Sequence, residues 1–252
     1  MTIDITSQID ASRLFDGERE REVGTNDLEA AMSLGAWSDG SSWSKVIGAL
    51  QNRGVTTNAA PLPLTSLPDD VRALDWTLER VQGDLVLVGH AYAGAVIGAT
   101  RNPQVKSLVY VAGLAPAEGE TVANVFYRTA PHPQAPKLAP DSHGLIWLPA
   151  DAFATAFAQD ATLQEHALLS AVQRPISPAC VSTAVERPLW MDRPSWFLVA
   201  ERDRMIAKET QRFMAERMKS RVRSHDVDHM PLVTAPATVV DLILEAVHDK
   251  GP

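Results

Sequence analysis

Leu85-Val86-Leu87-Val88-Gly89-His90-Ala91-Tyr92-Ala93-Gly94 is the stretch on which the reading of this chain turns. Its first four residues form a short apolar run rich in β-branched side chains, as a buried strand does. Gly89 follows, then Ala93, Gly94, Ala95 and Ala99, small residues that let a helix pack closely against a sheet. A strand that turns sharply into a helix needs small residues on both sides of its apex, because a bulky side chain there collides with the neighbouring backbone. The apex is Ala91, so the position that could present an attacking oxygen presents a methyl group.

Two further segments point to the same end of a sheet. Ser195-Trp196-Phe197-Leu198-Val199-Ala200 reads as a second buried strand that empties into Glu201-Arg202-Asp203-Arg204. A third candidate strand, near Arg221 to Val227, runs into Asp228-His229-Met230-Pro231, followed by an apolar-periodic helix from about Pro236 to Val247. Apex, Asp203 and His229 therefore succeed one another, each just past the C-terminal end of a predicted strand, where open α/β sheets place ligands and catalytic groups. Roles and order, rather than a single motif, identify such a site: a nucleophile position, an orienting carboxylate and a base. Asp228 adjoins His229, but neighbours on an extended chain point to opposite sides, so Asp203 is the expected orienter. His90 is expected to pack behind the apex, and His225 to be solvated or structural.

With those residues in place the chain resembles the α/β-hydrolase superfamily, in its small esterase-like form. Gly35-Ala36-Trp37-Ser38-Asp39-Gly40-Ser41-Ser42-Trp43 is similar to the family's loop after its third strand, and Leu108-Val109-Tyr110-Val111-Ala112-Gly113 to the strand after the nucleophile helix. The resemblance covers Gly35 to the C-terminus. It implies one 1–252 domain, a mostly parallel sheet with helices on both faces and a small helical lid. It also implies an oxyanion hole built from the backbone N–H groups of Ala36 and Tyr92, with Asp203 and His229 as orienter and base.

Two departures from the family pattern stand out. A serine hydroxyl would attack the substrate carbonyl while His229 takes its proton; Ala91 has no hydroxyl to offer. The second is at the N-terminus, where a Val/Ile-rich strand should run into the His-Gly that opens the oxyanion loop. Gly24 to Leu34 instead reads as helix-like and acidic, with Leu34 at the expected His position. The sheet is expected either to lack a central strand here or to build it from an unusual sequence. Met1–Ile5 looks like a strand, and Glu18–Glu22 like a solvated helix or flexible segment.

The remaining composition narrows the class. With 252 residues, 45% of them hydrophobic, and no apolar run of membrane-spanning length, the chain can fold around one sizeable core. No signal peptide is expected, and the single cysteine, Cys180, fits a reducing compartment, so a cytoplasmic location is the default. A formal charge of -8 argues against nucleic acid or an anionic membrane as partner. The absence of zinc-type Cys/His spacing and of a phosphate-binding glycine loop leads us to expect no metal and no cofactor.

After Pro116 the sequence turns rich in Pro, Ala and His, then gives two helices near Asp151 to Gln159 and Thr162 to Val172. An excursion of this length between core strands reads as a lid over residues 117–190. Trp37, Tyr127, His143, Trp147 and Trp190 are candidate pocket residues, against the plainer reading of aromatic packing within the lid. Three functions stay open for a small-molecule partner: hydrolysis of a small ester or related acyl compound with the nucleophile replaced at Ala91; hydrolysis by a His229-activated water with alanine native there; and non-catalytic binding in the same pocket.

Overall fold

A computed structural model describes residues 28–249. Six strands form one sheet: β1 (Leu28–Ser33), β2 (Thr56–Ala60), β3 (Asp84–His90), β4 (Val105–Val111), β5 (Ser195–Ala200) and β6 (Arg221–His225). All pairings are parallel and the spatial order is β2-β1-β3-β4-β5-β6. Parallel neighbours need crossovers, which are supplied mainly by helices: α1 (Ser44–Gln51), α2 (Leu67–Leu78), α3 (Ala93–Ala99) and α7 (Lys208–Arg217), with α9 (Pro236–Val247) closing the chain. α1 packs on α9 and α2 packs on α3, so helices flank both faces of the sheet. Sandwiched strands need no polar alternation, and residues 85–90 of β3 and all of β5 are buried.

Residues 28–33 are a strand where propensity favours helix. Leu-Glu-Ala-Ala-Met-Ser is hydrogen-bonded on both sides, to β2 and to β3, and Ala30, Ala31 and Met32 are completely or almost completely buried. Two ladders and burial under helix α9 outweigh a helix preference of a few tenths of a kcal/mol per residue. The sheet thus has its central strand, built from an unusual sequence. The expectations for Met1–Ile5 and Glu18–Glu22 lie outside the described residues.

Chain order and spatial order together locate the site. The chain leaves β1 for β2 on one side, then crosses back to place β3 on the other, so the loops after β1 and β3 diverge from adjacent strand ends and open a crevice between them. Residues 112–194, between β4 and β5, run past this end of the sheet and contain α4 (Val122–Phe126), a π-helical turn (Phe153–Phe157), α5 (Leu163–Ala171) and α6 (Ala179–Ser182). Both helices expected near 151–159 and 162–172 are present, the first as the π-helical turn.

Candidate active site

The turn after β3 has a backbone geometry that only small neighbouring residues permit. Ala91 sits at φ 49°, in the left-handed region that costs a non-glycine residue on the order of 1–2 kcal/mol. Three hydrogen bonds fix it: its N–H donates to Val111 O at 3.2 Å, and its carbonyl accepts from Gly94 N at 3.1 Å and Leu114 N at 2.9 Å. A Cβ at Gly89 would lie 2.8 Å from the Ala93 carbonyl oxygen, and one at Gly94 would lie 2.7 Å from that of Leu114. Neither backbone atom can move aside, so both positions must be glycine for helix α3 to start where it does. The result lifts the Ala91 methyl into a cavity of about 110 Å³, which is also lined by Ala36, Tyr92 and His229.

His229 reaches that cavity from the loop between β6 and α8 (Pro231–Thr234). Its Nδ1 lies 2.8 Å from Asp203 Oδ2, and both side chains are buried. Asp203 follows β5 and is fixed by three other donors: the N–H groups of Met205 (2.7 Å) and Ile206 (2.9 Å) on Oδ1, and the Gln211 amide (2.8 Å) on Oδ2. Gln211 is itself tied down, donating to Ile206 O and accepting from Ala200 N. Since the Asp203 carboxylate can only accept, His229 carries its proton on Nδ1, and Nε2 is left as the basic nitrogen with no protein partner among the described residues. Ring contacts complete the setting: Phe157 lies 5.3 Å from the His229 ring and His90 lies 4.8 Å from it.

His90 packs behind the apex as expected, and does more than fill space. Its Nε2 donates to the His229 carbonyl at 2.7 Å, while Nδ1 is buried without a partner. Burial, and secondarily the nearby His229, hold its pKa well below the usual 6.5, so the ring stays neutral. Asp228 turns away from the imidazole: its carboxylate accepts from Met230 N, Thr234 Oγ1 and the backbone N–H of Asp160. Burial raises its pKa above 3.8.

The loop after β1 faces the same cavity. Trp37 is another left-handed residue, at φ 63°; its N–H donates to Arg174 O and its indole to Ile146 O, which ties the loop to the 112–194 excursion. The Ala36 and Tyr92 N–H groups have no acceptor among the described residues. Gly35 lets the two loops meet, since a Cβ there would lie 2.9 Å from Tyr92 N. The Tyr92 side chain is pulled the other way, its hydroxyl donating to Asp70 Oδ2 at 2.6 Å, and Asp70 also takes Leu64 N and the Cys180 thiol. Burial pushes that thiol up to about 12 and raises the Asp70 carboxyl and the Tyr92 phenol as well.

Of the candidate pocket residues, Trp37 and Tyr127 line the cavity and three others do not. His143 and Trp147 belong to an exposed turn organised by the Asp141 carboxylate, which accepts from the His143 N–H and the Trp147 indole. Trp190 is buried beside Gly98, with its indole donating to Pro116 O. Sequence reasoning placed these aromatics by composition, which does not encode direction. It also passed over Gln211 and Phe157, whose roles are set by contacts from distant segments. The cavity lining is otherwise apolar, from residues such as Leu114, Phe126, Leu138 and Ile206. Among the described residues no group of three or more His, Cys, Asp or Glu side chains could hold a metal ion, and no helix is long and apolar enough to cross a membrane.

The sequence profile of the alpha/beta hydrolase family matches residues 35–242. No curated protein sequence matches the chain. Among solved structures it is similar to polyneuridine aldehyde esterase, at 15% identity and a TM-score of 0.75, over 87% of this chain and 99% of that one. A pyrethroid hydrolase from Sphingobium faniae JZ-2 superposes with a TM-score of 0.74 at 19% identity, covering 88% of this chain and 98% of that one. A single-site mutant of tomato methylketone synthase I does so with a TM-score of 0.75 at 17% identity, covering 86% and 97%. At these identities the likeness carries the fold alone, and the reaction has to be argued from the site.

Proposed function

Since the chain belongs to the alpha/beta hydrolase family, we propose that its cavity binds a small uncharged ester or related acyl compound, with the carbonyl oxygen on the Ala36 and Tyr92 N–H groups and the carbonyl carbon above Ala91. The observation that carries this reading is the convergence of Ala91, Ala36, Tyr92 and His229 on one cavity, with the His229 imidazole oriented by Asp203. Two amides without acceptors favour an oxygen that gains negative charge, and an otherwise apolar lining favours a ligand without a charge of its own. Residues 117–190 act as the lid, since they supply much of the apolar wall and keep water from the carbonyl. The molecule is an ester-hydrolase site in every part but the attacking oxygen.

Placing serine at position 91 tests this. The Ala91→Ser variant is expected to hydrolyse short p-nitrophenyl esters, and Ala91→Ser/His229→Ala to lose that activity. Removing the nucleophile from a serine protease costs on the order of 10⁶-fold in turnover, so the gain should be large. Failure of Ala91→Ser to hydrolyse any short ester would overturn the reading. The second reading, a binder that uses the pocket without chemistry, is favoured by Ala91 itself, and predicts ligand binding with no ester hydrolysis by either the unaltered chain or Ala91→Ser.

A further inference from the structure

We propose that the chain with Ala91 in place removes and returns a proton at the carbon next to its ligand's carbonyl, an enolisation that needs a base and an oxyanion site but no nucleophile. It rests on the preceding reading that a carbonyl oxygen lies on the Ala36 and Tyr92 amides. The residues lining the cavity include no Ser, Thr, Cys, Asp, Glu or Lys. None of these usual nucleophiles stands in for the missing hydroxyl, and the His229 imidazole is placed as the base. Cys180 is not a substitute, being buried against Asp70 with its thiol held protonated.

Direct attack by water is poorly served. A water in a protein cavity needs two to four polar partners, as a rough rule. Here Nε2 of His229 offers one, the two amides are reserved for the ligand oxygen, and the indole of Trp37 already donates to Ile146 O. Of the other two lining residues with a polar side-chain atom, Tyr92 already donates its hydroxyl to Asp70 and Tyr127 is 62% exposed. The base, in contrast, is fully built: Asp203 takes four hydrogen bonds, and Phe157 and His90 flank the imidazole. A held base beside a carbonyl with no nucleophile to activate has the substrate's own C–H as its remaining partner.

The step balances without a co-reactant. Nε2 takes the proton as the C–H bond breaks; that electron pair forms the C=C bond, and the carbonyl π pair moves onto oxygen, where the two N–H groups receive the charge. Protonated His229 then returns a proton to the same carbon. Enolate charge is spread over carbon and oxygen, so an apolar cavity penalises it less than a localised hydroxide. The ligand class is a small uncharged ketone or ester whose α-hydrogen is acidified by an aryl or second carbonyl group.

The test uses phenylacetone, which cannot be hydrolysed, in D2O with the full chain, following loss of its methylene proton signal by NMR. Exchange about 10²-fold above buffer is expected, the ordinary yield of one positioned acid–base group. It should vanish in both His229→Ala and His229→Asn, each checked for a native circular dichroism spectrum. In parallel, Ala91→Ser is assayed on methyl phenylacetate with phenylacetone as competitor. Hydrolysis that phenylacetone inhibits, without exchange by the unaltered chain above the His229→Ala level, overturns the enolisation and leaves the carbonyl site standing. Neither hydrolysis, inhibition nor exchange overturns both. Exchange that persists in both His229 variants also overturns it.

Discussion

Nε2 of His90 donates to the carbonyl oxygen of His229 at 2.7 Å, which ties the residue just before the apex to the backbone of the residue whose imidazole faces the cavity. Two strand ends, those of β3 and β6, are separated by β4 and β5 in the sheet, and this one buried bond spans them. It fixes the His90 tautomer, since Nε2 must carry the hydrogen to donate to a carbonyl. Nδ1 is then an acceptor facing no donor, and protonating it would place a buried charge beside His229.

His90 therefore makes stability depend on pH. Its folded pKa is depressed well below the 6.5 of an ordinary imidazole, so the unfolded chain binds a proton that the folded chain refuses. Its contribution is complete above 6.5 and is lost as pH falls from there through the folded pKa, by up to about 1.4 kcal/mol per pH unit. Asp70 and Asp228 act with the opposite sign: with folded pKa values raised above 3.8, their contribution is complete below that value and is lost as pH rises through the folded values. A variant that differs only at the ring separates the terms. Urea midpoints of His90→Gln should fall less between pH 7.5 and pH 5 than those of the parent, and equal slopes would exclude the assignment.

Asp203→Asn, made in the Ala91→Ser background, should lower kcat for a short ester by about 10³–10⁴-fold with little change in KM, the behaviour of a triad whose histidine has lost its orienter. An amide in place of the carboxylate puts a donor where the fold already supplies donors from Met205, Ile206, Gln211 and His229. A stability loss of about 1–3 kcal/mol should accompany the kinetic effect. Steady-state kinetics and a urea titration on the same preparation measure both, and an unchanged kcat would remove Asp203 from the site.

The parts of the fold legible in the sequence were those specified by local pattern. Ser195–Ala200 and Pro236–Val247 occupy the spans that their apolar runs indicate, and the turn at Ala91 follows from Gly89 and Gly94. Leu28–Ser33 was opaque because its strand state comes from two ladders and overlying helices, none of them encoded in the six residues themselves. At the site, Asp203 and His229 were legible from chain order, since each closes a readable strand. Trp147 and Trp190 were not, because which way an aromatic on an irregular segment points depends on partners such as Asp141 and Pro116 O outside its own immediate neighbours. Gln211 lies eight residues past Asp203 on helix α7, and only the folded loop brings its amide back to the carboxylate.

Tyr92→Phe tests whether the phenol places the amide beside it. The hydroxyl is the closest partner of Oδ2 on a buried Asp70 carboxylate, and its removal leaves that oxygen with only the thiol of Cys180, 3.6 Å away. Asp70 also holds Leu64 N, so a disturbance here reaches the loop before α2 as well. A loss of about 1–3 kcal/mol in urea is expected. In the Ala91→Ser background kcat should drop more than KM rises, because an amide that shifts weakens the transition-state oxyanion more than the bound ester. A proportionate rise in KM alone would place Tyr92 in ligand binding instead.

Asp160→Ala tests how the excursion is fastened to the loops that carry Asp203 and His229. The residues beside Asp203 and His229 reach the excursion: Arg202, next to Asp203, pairs with the Asp160 carboxylate, Nη1 to Oδ1 being 2.9 Å, and the buried Asp228, next to His229, accepts the Asp160 N–H. Arg204 adds a bond to Thr155 O and Gln159 one to Arg202 O. The ion pair is 43% and 34% exposed on its two side chains, so its removal should cost less than about 1 kcal/mol of global stability. The backbone bond to Asp228 survives the substitution, so the segment should loosen rather than detach. Faster amide exchange confined to residues 153–160, with the urea midpoint nearly unchanged, is the expected result; uniform exchange across the chain would show that Asp160 stabilises the whole fold and does not act as a local fastening.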